Sequence, residues 1–121
     1  MNVLVRLIAR DQPKQVASAE EFVARGAWVS LLALAETTWV LSAVYDRQPE
    51  EIAIAVDMLL AHQSLSLQDP EAVSAALTHF RKRPAVGFSG CLLLEMARKS
   101  GHLPMGTFDR DLAKLPGAER L

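Results

Sequence analysis

The chain holds a single cysteine, Cys91, so an internal disulfide is excluded and the composition fits a reducing, cytoplasmic compartment. One cysteine and three scattered histidines, His62, His79 and His102, argue against a structural zinc site. No apolar run approaches the ~20 residues that span a bilayer. The opening Met-Asn-Val-Leu-Val-Arg lacks the basic-then-apolar order and the cleavage site of a signal peptide. Charge of one sign is also lacking, with a net value of −1, so no global basic field advertises nucleic-acid binding. Any RNA contact must use local patches. Val86-Gly87-Phe88-Ser89-Gly90 has neither the spacing nor the lysine of a phosphate loop, and Ser89 has no matching His–Asp pair to make it a nucleophile. There is no internal repeat and no low-complexity segment.

What remains is an ordinary globular composition. Half of the 121 residues are apolar and 22% are charged, which suits one folded domain over residues 1–121. Residues 2–9 read either as a strand or as a buried first helix, because periodicity cannot decide so short a run. A helix through Val16, Ala19, Phe22 and Val23 ends at Gly26. Trp28–Ser30 reads as a strand. The next helix, from about Leu32 to Tyr45, places Leu32, Ala35, Trp39, Val40 and Ala43 on one apolar stripe, with Glu36 inside it. Pro49, Glu50 and Glu51 open a helix whose core residues are Ile52, Val56, Leu59 and Leu60. Leu65–Leu67 alternates like a strand. Asp69 caps a helix with the stripe Val73, Ala76, Leu77 and Phe80, which Pro84 stops. Ser89 caps a helix that buries Leu92, Leu93, Met96 and Ala97. Leu103–Phe108 is a strand, Arg110–Leu115 a helical turn and Ala118–Leu121 an edge strand. Short apolar strands alternating with amphipathic helices predict an α/β fold with a parallel sheet covered on both faces.

In such sheets ligands bind beyond the carboxyl ends of strands, where Asp109 falls. Asp109 reads either as a site acid or as a helix cap. Glu36 breaks an apolar stripe, and a buried acid needs a metal, a base or backbone donors; otherwise it is a rim acid that reaches solvent or an arginine. His102 follows a C-cap glycine and reads as a surface histidine. Arg81, Lys82 and Arg83 read as a solvated helix end rather than an RNA contact.

Three segments, taken in order, resemble the PIN-domain ribonucleases, and most closely the VapC toxins of toxin–antitoxin pairs. They are Asn2-Val3-Leu4-Val5-Arg6, Ser30 with Glu36-Thr37-Thr38-Trp39-Val40-Leu41, and Thr107-Phe108-Asp109-Arg110-Asp111-Leu112 followed by Leu115-Pro116-Gly117. The resemblance implies a three-layer α/β/α fold with a small parallel sheet, whose first central strand lies ahead of residue 1. It implies a Mg²⁺- or Mn²⁺-dependent endoribonuclease, with Glu36 and Asp109 as catalytic and metal-site acids and Asn2 and Thr107 as supporting residues. The partners it implies are an RNA substrate, a VapB-type antitoxin and a second copy in a homodimer, with no membrane.

The family's site has four carboxylates, and two of those positions carry none here. The first acid precedes residue 1, and the family's Asp-Phe-x-Asp segment aligns with Gly87-Phe88-Ser89-Gly90. Mg²⁺ wants hard oxygen ligands in octahedral order. Two acids predict weak metal binding and an impaired or inactive enzyme. Glu95 does not replace the missing acid, because five residues on from Gly90 is about 140° around a helix. The alternative reading is a non-catalytic PIN scaffold that dimerises or binds a partner.

Overall fold

A computed structural model describes residues 2–121. Helix α1 spans Asn2–Ala9 and α2 spans Pro13–Ala24, followed by strand β1 over Ala27–Val29, α3 over Leu31–Ala43, α4 over Pro49–Ala61 and strand β2 over Leu65–Leu67. Then come α5 (Pro70–Lys82), a 3-10 turn (Pro84–Val86), α6 (Phe88–Lys99), β3 (Met105–Thr107), a second 3-10 turn (Leu112–Lys114) and β4 (Ala118–Arg120). The fold is α/β, mostly helical with small parallel sheets. The chain divides into two units, the first ending at Asp69 and the second running from Pro70 to Leu121. No helix among the described residues is long and apolar enough to cross a membrane.

In the first unit β1 pairs β2 in parallel, with Trp28 opposite Ser66. Residues 2–9, open between strand and helix on sequence, are helical. Leu4 and Val5 are buried. Arg6 ties α1 to its neighbours by donating to Gln15, to Asp11 at 3.3 Å and to the Tyr45 hydroxyl at 2.8 Å. Helix α2 buries Val16, Ala19 and Val23, but Phe22 is exposed, with the Arg25 guanidinium 5.5 Å from its ring centre. Gly26 ends this helix at φ +89°, its amide donating to Val23 at 2.8 Å. Helix α4 buries Ile52, Ala53, Ala55, Val56 and Leu59, while Leu60 is half-buried.

Helix α3 turns a different face inward from the expected one. Its buried residues are Leu34, Thr37, Thr38 and Leu41, whereas Leu32, Glu36, Trp39 and Ala43 face solvent. The two threonines can be buried because each hydroxyl finds a carbonyl in its own helix. Thr37 donates to Ala33 at 2.7 Å and Thr38 to Ala35 at 2.8 Å.

In the second unit α5 packs on α6 and buries Ala72, Val73, Ala76, Leu77 and Phe80. The Phe80 and Phe88 rings meet edge to face at 6.1 Å. Helix α6 begins one residue before Ser89, with Gly87 as its cap, and buries Phe88, Cys91, Leu92, Leu94 and Glu95. Leu93 is exposed and Met96 and Ala97 are only half-buried, because the helix meets α5 about one position round from the expected face. Strand β3 pairs β4 in parallel, with Met105 opposite Ala118 and Thr107 opposite Arg120. The predicted parallel pairing is thus present, in two two-stranded ladders.

Candidate functional site

Residues Thr107 to Leu112 form a self-contained turn beyond the carboxyl end of β3. The Thr107 hydroxyl accepts from the Asp109 amide at 3.1 Å. Asp109 Oδ1 in turn accepts from the amides of Asp111 at 2.8 Å and Leu112 at 3.1 Å. The Asp109 carbonyl accepts from Ala113 at 3.1 Å. One carboxylate oxygen of Asp109 is therefore held by the amides that open the 3-10 turn. The capping reading of this residue describes these bonds.

The N-terminus of α6 meets the same turn. A Cβ added to Gly90 would lie 3.2 Å from Val86 Cγ1 and 3.9 Å from Leu112 Cδ2. Leu112 is the residue whose amide Asp109 holds. Residue 90 and Asp109 thus share a neighbourhood within the second unit, and the α6 side of it carries no acid. Gly87 stands at φ +82°, a left-handed conformation that glycine tolerates and other residues adopt at a cost. Its amide donates to Pro84 at 3.2 Å, closing the 3-10 turn over Pro84–Val86.

Glu36 belongs to the first unit. It lies on the outward face of α3 and is exposed, with no ion-pair partner among the described residues. It therefore pays no burial cost, contrary to the expected apolar stripe, and its carboxylate is open to solvent. The helix that carries it starts at Ser30, whose hydroxyl accepts from the Ala33 amide at 3.0 Å. Asn2 opens α1; its side chain lies outside the described residues.

A divalent metal needs several oxygens converging on one point. Among the described residues no three His, Cys, Asp or Glu side chains stand together in that way. With half of Asp109 occupied by amides and glycine at positions 87 and 90, the residues present do not fit a four-carboxylate Mg²⁺ site.

Sequence reasoning passed over a second polar cluster, in the α5–α6 hairpin. Glu95 is buried at 8% exposure, and its Oε1 lies 2.9 Å from His79 Nε2 and 3.5 Å from Arg98 Nε. The signal was present in the spacing. Phe88, Cys91, Leu92 and Glu95 share one helical stripe, so the acid had to face inward. Cys91, fully buried one turn earlier, has its thiol pushed up to about 11, first by burial and then by the Glu95 charge.

A family model described as PIN domain matches residues 1–118. No curated protein and no solved structure matches the chain.

Proposed function

The chain belongs to the PIN-domain family, whose fold is generally a nuclease's, and from this premise we propose that it is a VapC-type endoribonuclease of a toxin–antitoxin pair in which hydrolysis is impaired. In this reading residues 1–121 form one domain. The substrate class is RNA, the regulator is a VapB-type antitoxin, the compartment is the cytoplasm and the assembly is a symmetric homodimer. Glu36 and Asp109 are the remaining site acids, Thr107 supports Asp109, and Asn2 is a further supporting residue.

The observation that carries the reading is the meeting of α6 with the Asp109 turn. Position 90, where the family has an acid, lies near Leu112, the residue whose amide Asp109 holds, and it is a glycine. A nuclease of this class must hold metal, water and scissile phosphate together. Bound Mg²⁺ or Mn²⁺ would stabilise charge on the transferring phosphate, but this chain lacks the ligand count to orient it.

The test is RNA cleavage in Mg²⁺ or Mn²⁺. The unmodified chain is expected to show none. Gly90→Asp should raise divalent affinity, and adding Asp109→Asn should remove the gain. Robust metal-dependent cleavage by the unmodified chain, lost in Glu36→Gln, would overturn the assignment of impaired activity. Light scattering at tens of micromolar checks the homodimer, and a monomer there counts against it.

A second reading, a non-catalytic PIN scaffold that binds a partner, is favoured by exposed apolar surface in the first unit. Leu32 and Trp39 on α3 and Ile54 and Met58 on α4 are all more than half exposed. It differs from the first in predicting no gain in divalent affinity from Gly90→Asp.

A further inference from the structure

We infer that Arg98 is the positioning residue of the Thr107–Asp109 turn, holding from α6 the strand pair that carries Asp109. The functional meaning of this rests on the proposed role of Asp109; the mechanical part stands on contacts alone.

The anchor is Glu95. A buried carboxylate is costly unless it is paired, and this one is paired twice, with His79 from α5 and with Arg98 on its own helix. Arg98 is only partly exposed and uses its guanidinium as a fork. Its Nε faces Glu95, and Nη2 donates to the carbonyl of Pro116. Without Glu95 the side chain has somewhere else to go. It borders a cleft of about 320 Å³ lined also by Glu71, Ala72, Ala75 and Lys99.

Gly117 completes the clamp. It sits at φ +94°, and a Cβ there would lie 3.2 Å from Arg98 Nη2 and 3.2 Å from both Leu103 methyls. A side chain there would crowd the guanidinium by a few tenths of an ångström, and the positive φ favours glycine as well. From Gly117 the hold passes directly into the β3–β4 ladder. The Met105 amide donates to the Gly117 carbonyl at 2.9 Å, and the Leu121 amide donates to Thr107 at 2.9 Å. Thr107 then holds the Asp109 amide, and Asp109 holds Asp111 and Leu112. A two-stranded ladder is marginal by itself, so an outside anchor decides how well it is ordered. The clamp links a buried acid that is no site acid to the order of one that is.

Amide hydrogen exchange on the full chain tests this. In Arg98→Ala the amides of Met105, Asp111, Leu112 and Leu121 should exchange about ten-fold faster, the effect of losing one charge-assisted hydrogen bond. Those of Ala76 and Leu77 in α5 should be unchanged. Arg98→Lys, which cannot serve Glu95 and Pro116 together, should fall between, and Glu95→Gln should shift the same amides. Uniform acceleration across the second unit in Arg98→Ala would mean a merely stabilising ion pair and would overturn the proposal. So would unchanged exchange at Met105 and Leu121. Paramagnetic broadening of the Asp111 and Leu112 amides by Mn²⁺, compared with that in Asp109→Asn, separates the two claims. Equal broadening in both proteins removes Asp109 from the metal reading, while the exchange pattern still decides the clamp.

Discussion

At the scale of single residues, the two glycines in place of acids are not equivalent. Gly87 occupies φ +82°, so Gly87→Asp should cost about 1–2 kcal/mol through backbone strain. Gly90 is helical, and its Cβ would press only on the Val86 side chain, which must give by a few tenths of an ångström. An acid in the first turn of α6 also meets the favourable end of the helix dipole, so Gly90→Asp should stay within about 1 kcal/mol of the parent. Urea unfolding of the two variants checks the order, and a reversal would show that the turn over Pro84–Val86 adapts freely. Cys91 gives a second prediction. Its thiol titrates at about 11 folded, against an ordinary value of 9.0, so the folded state holds the proton more tightly. The stabilisation is full below pH 9 and is lost as pH rises from 9 through 11, on the order of 2 kcal/mol. Cys91→Ala, although less stable at neutral pH because of the cavity, should lose less over that window. Equal alkaline losses in the two proteins would rule the thiol out as their cause.

At the scale of elements, α3 presents the sharpest contrast. Its length, its Ser30 cap and its helical period are all legible in the sequence. Which side faces inward is not, because both sides carry apolar residues and the side that wins includes two threonines. Threonine hydroxyls that bond back to Ala33 and Ala35 look polar in the sequence and behave as satisfied, buried groups in the helix. Leu41→Ala should therefore cost about 2–5 kcal/mol, and Trp39→Ser within about 0.5 kcal/mol, measured by thermal or urea unfolding. A large loss at Trp39 would mean that this face is covered in solution. Helix α1 is a similar case. Eight apolar-rich residues could have served as a strand; they form a helix, tethered by the bonds from Arg6 to Gln15, Asp11 and Tyr45.

At the scale of the whole molecule, the family match runs through both units, from residue 1 to 118, so neither unit alone accounts for the family pattern. Thirteen basic side chains against fourteen acidic ones leave no field to gather either RNA or metal ions from a distance. Metal binding must then come from local ligands, and no three His, Cys, Asp or Glu side chains stand together among the described residues. With a Kd at or above about 10 mM, roughly 5 mM Mg²⁺ adds no more than about 0.3 kcal/mol to stability. Thermal melts with and without Mg²⁺ should differ by roughly 1–2 °C at most. A shift above roughly 5 °C would show a metal site that the acid count does not explain.

The sequence by itself determined the α/β class, the places where strands and helices alternate, and the PIN signature around Glu36 and Thr107–Asp109. These are local matters of period, cap and turn chemistry, written in neighbouring residues. It also showed that positions 87 and 90 carry no acid. Only the tertiary structure decided that Glu36 is exposed and that Glu95 meets His79 from α5. Each of those depends on a partner or a packing surface whose choice is not local. His79 lies sixteen residues before Glu95 and meets it only because α5 and α6 fold together. Pro116 lies eighteen residues beyond Arg98 and meets it where the bare Gly117 backbone passes the guanidinium. Burial and hydrogen bonding are settled between elements, and one-dimensional spacing carries no record of which element arrives.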